Sequence, residues 1–340
     1  MAWLLRRLKR HLPAGNLFGY VVYTVILLAL FQLYLAYNCG VSKDVEKSEV
    51  AAQSGLTEAR AVPKIRTRLL VVILTAPQDF ELRKLIRSTW LALSHKGRNE
   101  IIHLFHIGTR DLDERLVGSL GKENLEFGDL RLLRGLEESY GSLSAKMVAI
   151  FADVHERFDF DYLLKVDGDS FVRLDALLRA LRDVEHERLY WGFLDGRAPV
   201  KYKGKWAEPS WVLCDRYLPY AVGGGYVLSS ALVAFLARNK ELLKVYSNED
   251  VSVGAWLAGL DVRYVHEPRF DTEFRSRGCS NQHLISHKQT QEMLREKCNS
   301  LKGSGGRLCE REFRVRPSYV YDWSVPPSRC CVRTNDSRVP

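Results

Sequence analysis

Seven cysteines are present in this 340-residue chain, yet none stands in a C-x-x-C pair, and no Glu follows His283 in the H-E-x-x-H manner. These absences exclude a structural zinc cluster and a zinc-protease centre. There is no zinc-finger or RNA-binding signature, and the 50 basic residues are scattered, so a formal net charge of +9 does not describe a nucleic-acid surface. Internal repeats and low-complexity blocks are lacking too. With 46% hydrophobic and 27% charged residues, the composition is not that of a disordered protein, and most of the chain has to bury a core.

One stretch lacks formal charge altogether. Residues 17–37, LFGYVVYTVILLALFQLYLAY, would span roughly 30 Å at about 1.5 Å per residue, enough to cross a bilayer. The run is longer than a signal-peptide core, and NCGVSKDVEK after it is not a small-residue cleavage site, so it reads as an uncleaved anchor. Arg6, Arg7, Lys9 and Arg10 precede it, whereas Lys43, Asp44, Glu46 and Lys47 behind it cancel. That asymmetry keeps the N-terminus cytosolic and sends the rest to the lumenal or outer side. Removing those four charges leaves about +5 for the remainder, an excess that suits an acidic small substrate or a polyanionic glycan. The expected organisation is a cytosolic tail (1–16), an anchor (17–37), a polar stem (38–66), a catalytic domain (67–333) and a C-terminal tail (334–340).

Cysteine usage agrees with an oxidising compartment. Cys39 lies at the membrane edge, and Cys214, Cys279, Cys298, Cys309, Cys330 and Cys331 are expected to form disulfides in one of 15 connectivities that the sequence leaves open. Asn335-Asp336-Ser337 is a glycosylation sequon.

RLLVVILTAP is a continuous β-branched run closed by proline, as expected of a strand buried on both faces. Helical spacing follows in ELRKLIRSTWLAL, and strands and helices then alternate through EIIHLFHIG, DERLVGSLGKENLEF, DLRLLRGL, SLSAKMVAIFADVHERF and DYLLKV. The pattern predicts an α/β domain built on a largely parallel sheet. Irregular Trp- and Gly-rich segments come after it, then helices in ALVAFLARNKELL and EDVSVGAWLAGL and a strand in DVRYVHE.

The chemistry concentrates at Asp167-Gly168-Asp169, between an apolar run and the helical LDALLRAL. Asp-Gly is a hairpin signal, but LDALLRAL has helical spacing and is not a returning strand. Residues two apart in extended chain share a side, so the two carboxylates can converge on a hard cation such as Mg²⁺ or Mn²⁺. Ser247-Asn248-Glu249-Asp250 has the form of a helix cap, and acids there stabilise a helix without any catalysis. Arg83 and Arg87, four apart, read as a solvated helix face or a diphosphate grip, and His283 and His287, four apart, as neighbours on a helical face. Gly223, Gly224 and Gly225 make either a turn ahead of a helix or a close backbone approach to a ligand. Trp191, Trp211 and Trp256 are core residues, with one of them a candidate sugar platform.

In this order behind a short tail and one anchor, RKLIRSTW, LLKVDGDSFVRLDALL, GGGYVLS and NEDVSVGAW resemble the β-1,3-glycosyltransferases of the Golgi, type II membrane enzymes of GT-A fold. The resemblance covers roughly residues 68–333, and LYWGF, RFDTEFRSRGCSNQHLISHKQ and YVYDWSVPPSRCC are most similar to the branch that extends the proteoglycan linker. It implies a Rossmann-like nucleotide-sugar domain that moves galactose, with inversion, from UDP-galactose to the 3-hydroxyl of galactose in Gal-β-1,4-xylose. It further implies Golgi residence and association with other Golgi glycosyltransferases. Carried over by position, Asp167, Asp169 and His287 hold Mn²⁺ in preference to Mg²⁺, and Asp250, with Glu249 as the alternative, is the base. By the same position Thr75, Ala76 and Asp167 border the UDP-sugar; Arg83 and Arg87 are further candidates for it, Lys146 and Lys165 weaker ones, and Trp191, Gly224, Gly225 and Tyr226 are the acceptor candidates. Two departures stand out: Gly168 replaces a residue that is more often acidic in the family, and Gly141 replaces a sequon Asn, which excludes a glycan there. The competing readings are a relative using another acceptor or UDP-N-acetylglucosamine, and a membrane-anchored lectin or folding helper without turnover.

Overall fold

A computed structural model describes residues 63–340, except Ser304 and Ser337, together with Val25, Leu28, Ala29 and Gln32. The cytosolic tail, Cys39 and nearly all of the expected anchor and stem lie outside the described residues. Residues 63–340 form one compact unit.

The continuous apolar runs become the central strands. β1 (Ile65–Leu74), β2 (Ile101–Gly108), β3 (Leu130–Leu133), β4 (Phe158–Asp167), β6 (Leu189–Asp195), β7 (Tyr220–Ser229) and β8 (Arg263–His266) make a seven-stranded sheet in the order β3-β2-β1-β4-β7-β6-β8. Residues 69–73 of β1 are wholly buried, as a strand covered on both faces requires. All neighbours are parallel except β7, which runs antiparallel to both β4 and β6. A second sheet of three short strands, β5 (Phe171–Val172), β11 (Ile285–Ser286) and β9 (Phe270–Asp271), lies beyond Asp169 in the chain, and β10 (Gly278–Cys279) pairs with β12 (Phe313–Arg314).

The helices follow their apolar stripes. α1 (Phe80–Ile86) continues into a wider turn at Arg87–Leu91; α2 (Glu114–Phe127) starts where Asp113 accepts from the Leu116 amide and stops at Gly128, φ +66°. α3 (Leu143–Arg157) buries Met147, Ile150, Phe151 and Val154, and α4 (Leu174–Arg182) buries Leu174, Leu177, Leu178 and Leu181, each at helical spacing. α5 (Ser230–Arg238), α6 (Glu249–Leu257) and α7 (Gln291–Gly303) complete the set.

Three expectations need correction. The glycine triplet lies inside β7 and is not a turn ahead of a helix. HLISHK is extended, with β11 at its centre, because it pairs with β5 and β9; the two histidines are not on a helical face. The residues after 333 are not a separate tail: the Arg277 guanidinium donates to the Pro340 carbonyl (2.7 Å), and Thr334 pairs with Ser318.

Cys279 bonds to Cys309 and Cys330 to its neighbour Cys331, whereas Cys214 and Cys298 are free thiols. Asn335 is exposed.

Candidate active site

The parallel strands β1, β4 and β6 end on one edge of the sheet, and β7, running the other way, begins there. Ligands favour this edge of an α/β sheet. β4 delivers Asp167, paired in register with Leu74 of β1; the Ser170 amide closes a turn onto the Asp167 carbonyl, and Asp169 projects from that turn. DGD is therefore both a turn and a convergence of carboxylates. From β11 the chain brings His287, whose Nε2 lies 3.4 Å from Asp167 Oδ2 and 3.0 Å from Asp169 Oδ1. Ligand atoms of the three residues all fall within 4.8 Å of one another.

This donor set fits a divalent cation. Two carboxylates and one imidazole suit a hard or borderline ion, and the imidazole is oriented for the task. A carbonyl can only accept, so His287 Nδ1 carries the proton toward Thr272 O (3.3 Å), leaving Nε2 to face the carboxylates. The ring fits there because residue 224 is glycine: a Cβ on Gly224 would stand 2.5 Å from the His287 ring. The next residue, Lys288, has φ +58° and rests its ammonium 3.3 Å from Asp169 Oδ2. A lysine in this sparsely populated region marks a locally constrained site.

Lys165, buried in the apolar run of β4, joins this cluster to the next. Its ammonium contacts Asp167 Oδ1 (2.9 Å), the Gly223 carbonyl (2.6 Å) and Glu249. Burial works against its charge, but Asp167 and Glu249 outweigh burial and raise its pKa. The other Glu249 oxygen accepts from Tyr226 Oη (3.1 Å), so both oxygens are engaged. Asp250 differs. It is only part-buried, and its oxygens accept from the backbone amides of Gly223 (3.0 Å) and Val251 (2.9 Å). Burial raises its pKa, with Lys165 and those amides opposing. The geometry thus distinguishes a neutralised Glu249 from an accessible Asp250.

Other expected contacts are displaced. Thr75 and Ala76 do follow β1 beside the DGD turn, where a Cβ on Gly168 would come within 3.3 Å of Thr75 Cγ2 and 3.1 Å of the Leu74 carbonyl. A small residue at 168 relieves that crowding. Arg83 is fully buried, pairing with Glu123 (2.7 Å) and donating to the Ala76 carbonyl (2.7 Å). Arg87 is also taken up, by Glu123 (2.8 Å) and Asp129 (2.7 Å). Lys146 is buried on Glu138 (2.7 Å) and the Thr75 carbonyl (3.1 Å). These three cations brace the end of β1 and the segment after it from behind.

The expected acceptor residues are likewise interior. Trp191 is buried, with Nε1 donating to Glu267 (3.2 Å) and its ring against Phe270; Trp211 and Trp256 are buried too. Tyr226 is fully buried on Glu249, Gly224 makes room for His287, and a Cβ on Gly225 would stand 3.0 Å from Ile285, so all three shape the site from within. His283 is buried, neither ring nitrogen has a partner, and burial pushes its pKa down to about 4.

Several residues at the site escaped the sequence reading. Tyr140 Oη donates to Asn248 Oδ1 (3.2 Å), and Asn248 Nδ2 donates to the Trp206 carbonyl (3.2 Å), which ties two exposed aromatics to the start of α6. Loop aromatics have no periodicity to betray them.

The galactosyltransferase family matches residues 81–268, more than half of the chain. The chain belongs to the galactosyltransferase family. Among its relatives, β-1,3-galactosyltransferase 6 of Mus musculus is 45% identical over 332 residues, covering 96% of this chain and 97% of the mouse protein. The hydroxyproline O-galactosyltransferase HPGT1 of Arabidopsis thaliana is 30% identical over 221 residues, covering 61% of this chain and 64% of its own. The span matched to the galactosyltransferase family contains Asp167, Asp169 and Asp250 and stops short of His287.

Proposed function

We propose that this galactosyltransferase transfers galactose from UDP-galactose, with inversion, to the 3-hydroxyl of a β-linked galactose, and that its acceptor is the Gal-β-1,4-xylose linker on proteoglycan core protein. The observation carrying the proposal is the pairing, at one sheet edge, of an Asp167/Asp169/His287 cluster with a separate accessible carboxylate, Asp250, linked through buried Lys165 and the Gly223 backbone. A GT-A-type reading of the mixed sheet is consistent with that arrangement.

In this reading Asp167, Asp169 and His287 hold Mn²⁺, which the mixed carboxylate and imidazole set favours over Mg²⁺. When bound, the ion neutralises charge on the departing diphosphate. Asp250 takes the proton from the acceptor 3-hydroxyl as that oxygen bonds to the anomeric carbon; the bond to UDP breaks, and UDP leaves with the electron pair. A pKa raised by burial makes Asp250 a better proton acceptor than a solvated aspartate. Glu249, tied to Lys165 and Tyr226, positions the helix start. Thr75 and Ala76 border the uridine side. The apolar N-terminal run anchors the protein in the Golgi membrane with this domain lumenal and Asn335 glycosylated, in association with other Golgi glycosyltransferases.

Asp250→Asn tests the assignment. Calorimetry should find UDP and Mn²⁺ binding retained, while transfer to a Gal-β-1,4-xyloside falls about 10²- to 10⁴-fold. Undiminished turnover would remove Asp250 from the base role. Transfer by the unchanged chain to N-acetylglucosamine acceptors only would overturn the acceptor.

A further inference from the structure

Near Asp250 the structure leaves large aromatic surface in water. Trp206 is 47% exposed, Phe274 54% and Tyr140 40%. Clustered exposed aromatics mark a binding surface more often than scattered ones do. Trp206 and Phe274 are neighbours, with ring centroids 6.3 Å apart and planes inclined by 66°. They come from different directions: Trp206 from the loop between β6 and β7, Phe274 from the segment that also supplies Thr272, the carbonyl partner of His287. One therefore reaches the base side of the site and the other the metal side.

The position of Trp206 is built. Glu208, fully buried, accepts from both the Asn248 amide (2.5 Å) and Asn248 Nδ2 (2.9 Å), and Gly204, φ +86°, turns the loop back. Trp211 of the same loop packs with Tyr217, Tyr246 and Val251, the last on α6 next to Asp250. The loop is thus fastened to the helix that carries the base. Cations lie over the other two rings: Lys205 over Tyr140 (5.0 Å), Arg275 and Arg316 over Phe274 (5.6 and 5.2 Å). Among the described residues no cation lies over the Trp206 ring. Trp323 is also half exposed, but its face is stacked on Tyr321 at 3.9 Å.

We propose that Trp206, with Phe274 as a side wall, is the platform for the sugar adjoining the acceptor galactose, so that the enzyme takes a β-galactoside at least two rings long. The proposal rests on the β-galactoside acceptor named above. A pyranose presents an apolar C–H face to an indole while its hydroxyls stay hydrated, the division of labour for which Trp suits interfaces. The acceptor galactose lies over Asp250, and Trp206, tied to Asn248 two residues earlier, takes the next ring.

Steady-state kinetics of the full chain on methyl β-galactoside and on β-galactosyl-1,4-xyloside separate the possibilities. Trp206→Ala should raise KM for the disaccharide about tenfold, the scale of one aromatic contact, with KM for methyl β-galactoside and for UDP-galactose within about twofold. Trp206→Phe should restore most of the loss. An unchanged disaccharide KM, or an equal rise for both acceptors, overturns the platform. If the unchanged chain transfers to no galactoside, the acceptor reading fails by itself, and the platform is judged by titrating the disaccharide against tryptophan fluorescence. Quenching that disappears in Trp206→Phe supports the platform, and absence of quenching overturns it.

Discussion

Two sets of buried ions in this molecule use the same side chains to opposite ends. Between α1 and α2, Arg83 and Arg87 meet Glu123 and Asp129 in a closed set of two cations and two anions, each carboxylate held by short bonds of 2.7–2.8 Å. At the start of β7, Asp167, Asp169, Glu249 and Asp250 face only the Lys165 and Lys288 ammoniums and a histidine, and Asp167 and Asp169 keep 33% and 39% of their side-chain surface exposed. The first set is balanced and sealed, so it can only fix structure. The second is left short of positive charge and open, so it can take up a cation and accept a proton. Balance and access, and not residue type, separate scaffold from site.

The largest effect that would sharpen this contrast lies in the sealed set. Glu123→Gln leaves Arg83 buried without its counter-charge and should cost about 3–5 kcal/mol of stability in urea unfolding. Against burial, Arg83 and Arg87 hold the Glu123 carboxyl, and His103 with Arg87 the Asp129 carboxyl, below the ordinary range. Their contribution is therefore complete above the ordinary carboxyl range and is lost as pH falls below that range through the depressed folded-state values, and Glu123→Gln should flatten that acid dependence. A variant as stable as the parent would break the comparison.

Gly224→Ala acts on the open set. With the His287 ring 2.5 Å from the new methyl, metal affinity should fall about 10- to 100-fold while thermal stability changes less than in Glu123→Gln. Titration calorimetry with Mn²⁺ reads this directly, and full affinity would show that His287 is not a ligand. The smallest effect concerns pH. Because burial raises the Asp250 pKa, the acid limb of the transfer profile should lie above the range of a solvated aspartate and move when Asp250→Glu is introduced. A limb at the ordinary position would return Asp250 to a helix-capping role.

The sheet was legible because its strands are continuous apolar runs: RLLVVIL and DYLLKV read as buried strands and fold as β1 and β4. The carboxylates of DGD were legible because an acidic turn between a strand and a helix has few other uses. GGG left a turn and a close backbone approach open, and the turn is wrong; what the glycines do, admitting the His287 ring beside a strand, depends on a partner 63 residues away. Arg83 and Arg87 misled for a similar reason. Spacing places two cations on one helix face, but whether that face meets water or Glu123 is decided by how α2 packs. The extended HLISHK was hidden because strands this short are defined by their neighbours.

The reversal of β7 has one more consequence. Because β6 and β7 run in opposite directions, the 24 residues joining them, 196–219, leave and re-enter the sheet on the edge that holds Asp167 and Asp250. An insertion or exchange there would reshape what hangs over the reaction without shifting a strand. Glu208 and Trp211 of this connection brace α6 beside Asp250, so a graft between relatives that keeps these two residues is the economical way to vary what surrounds the receiving molecule.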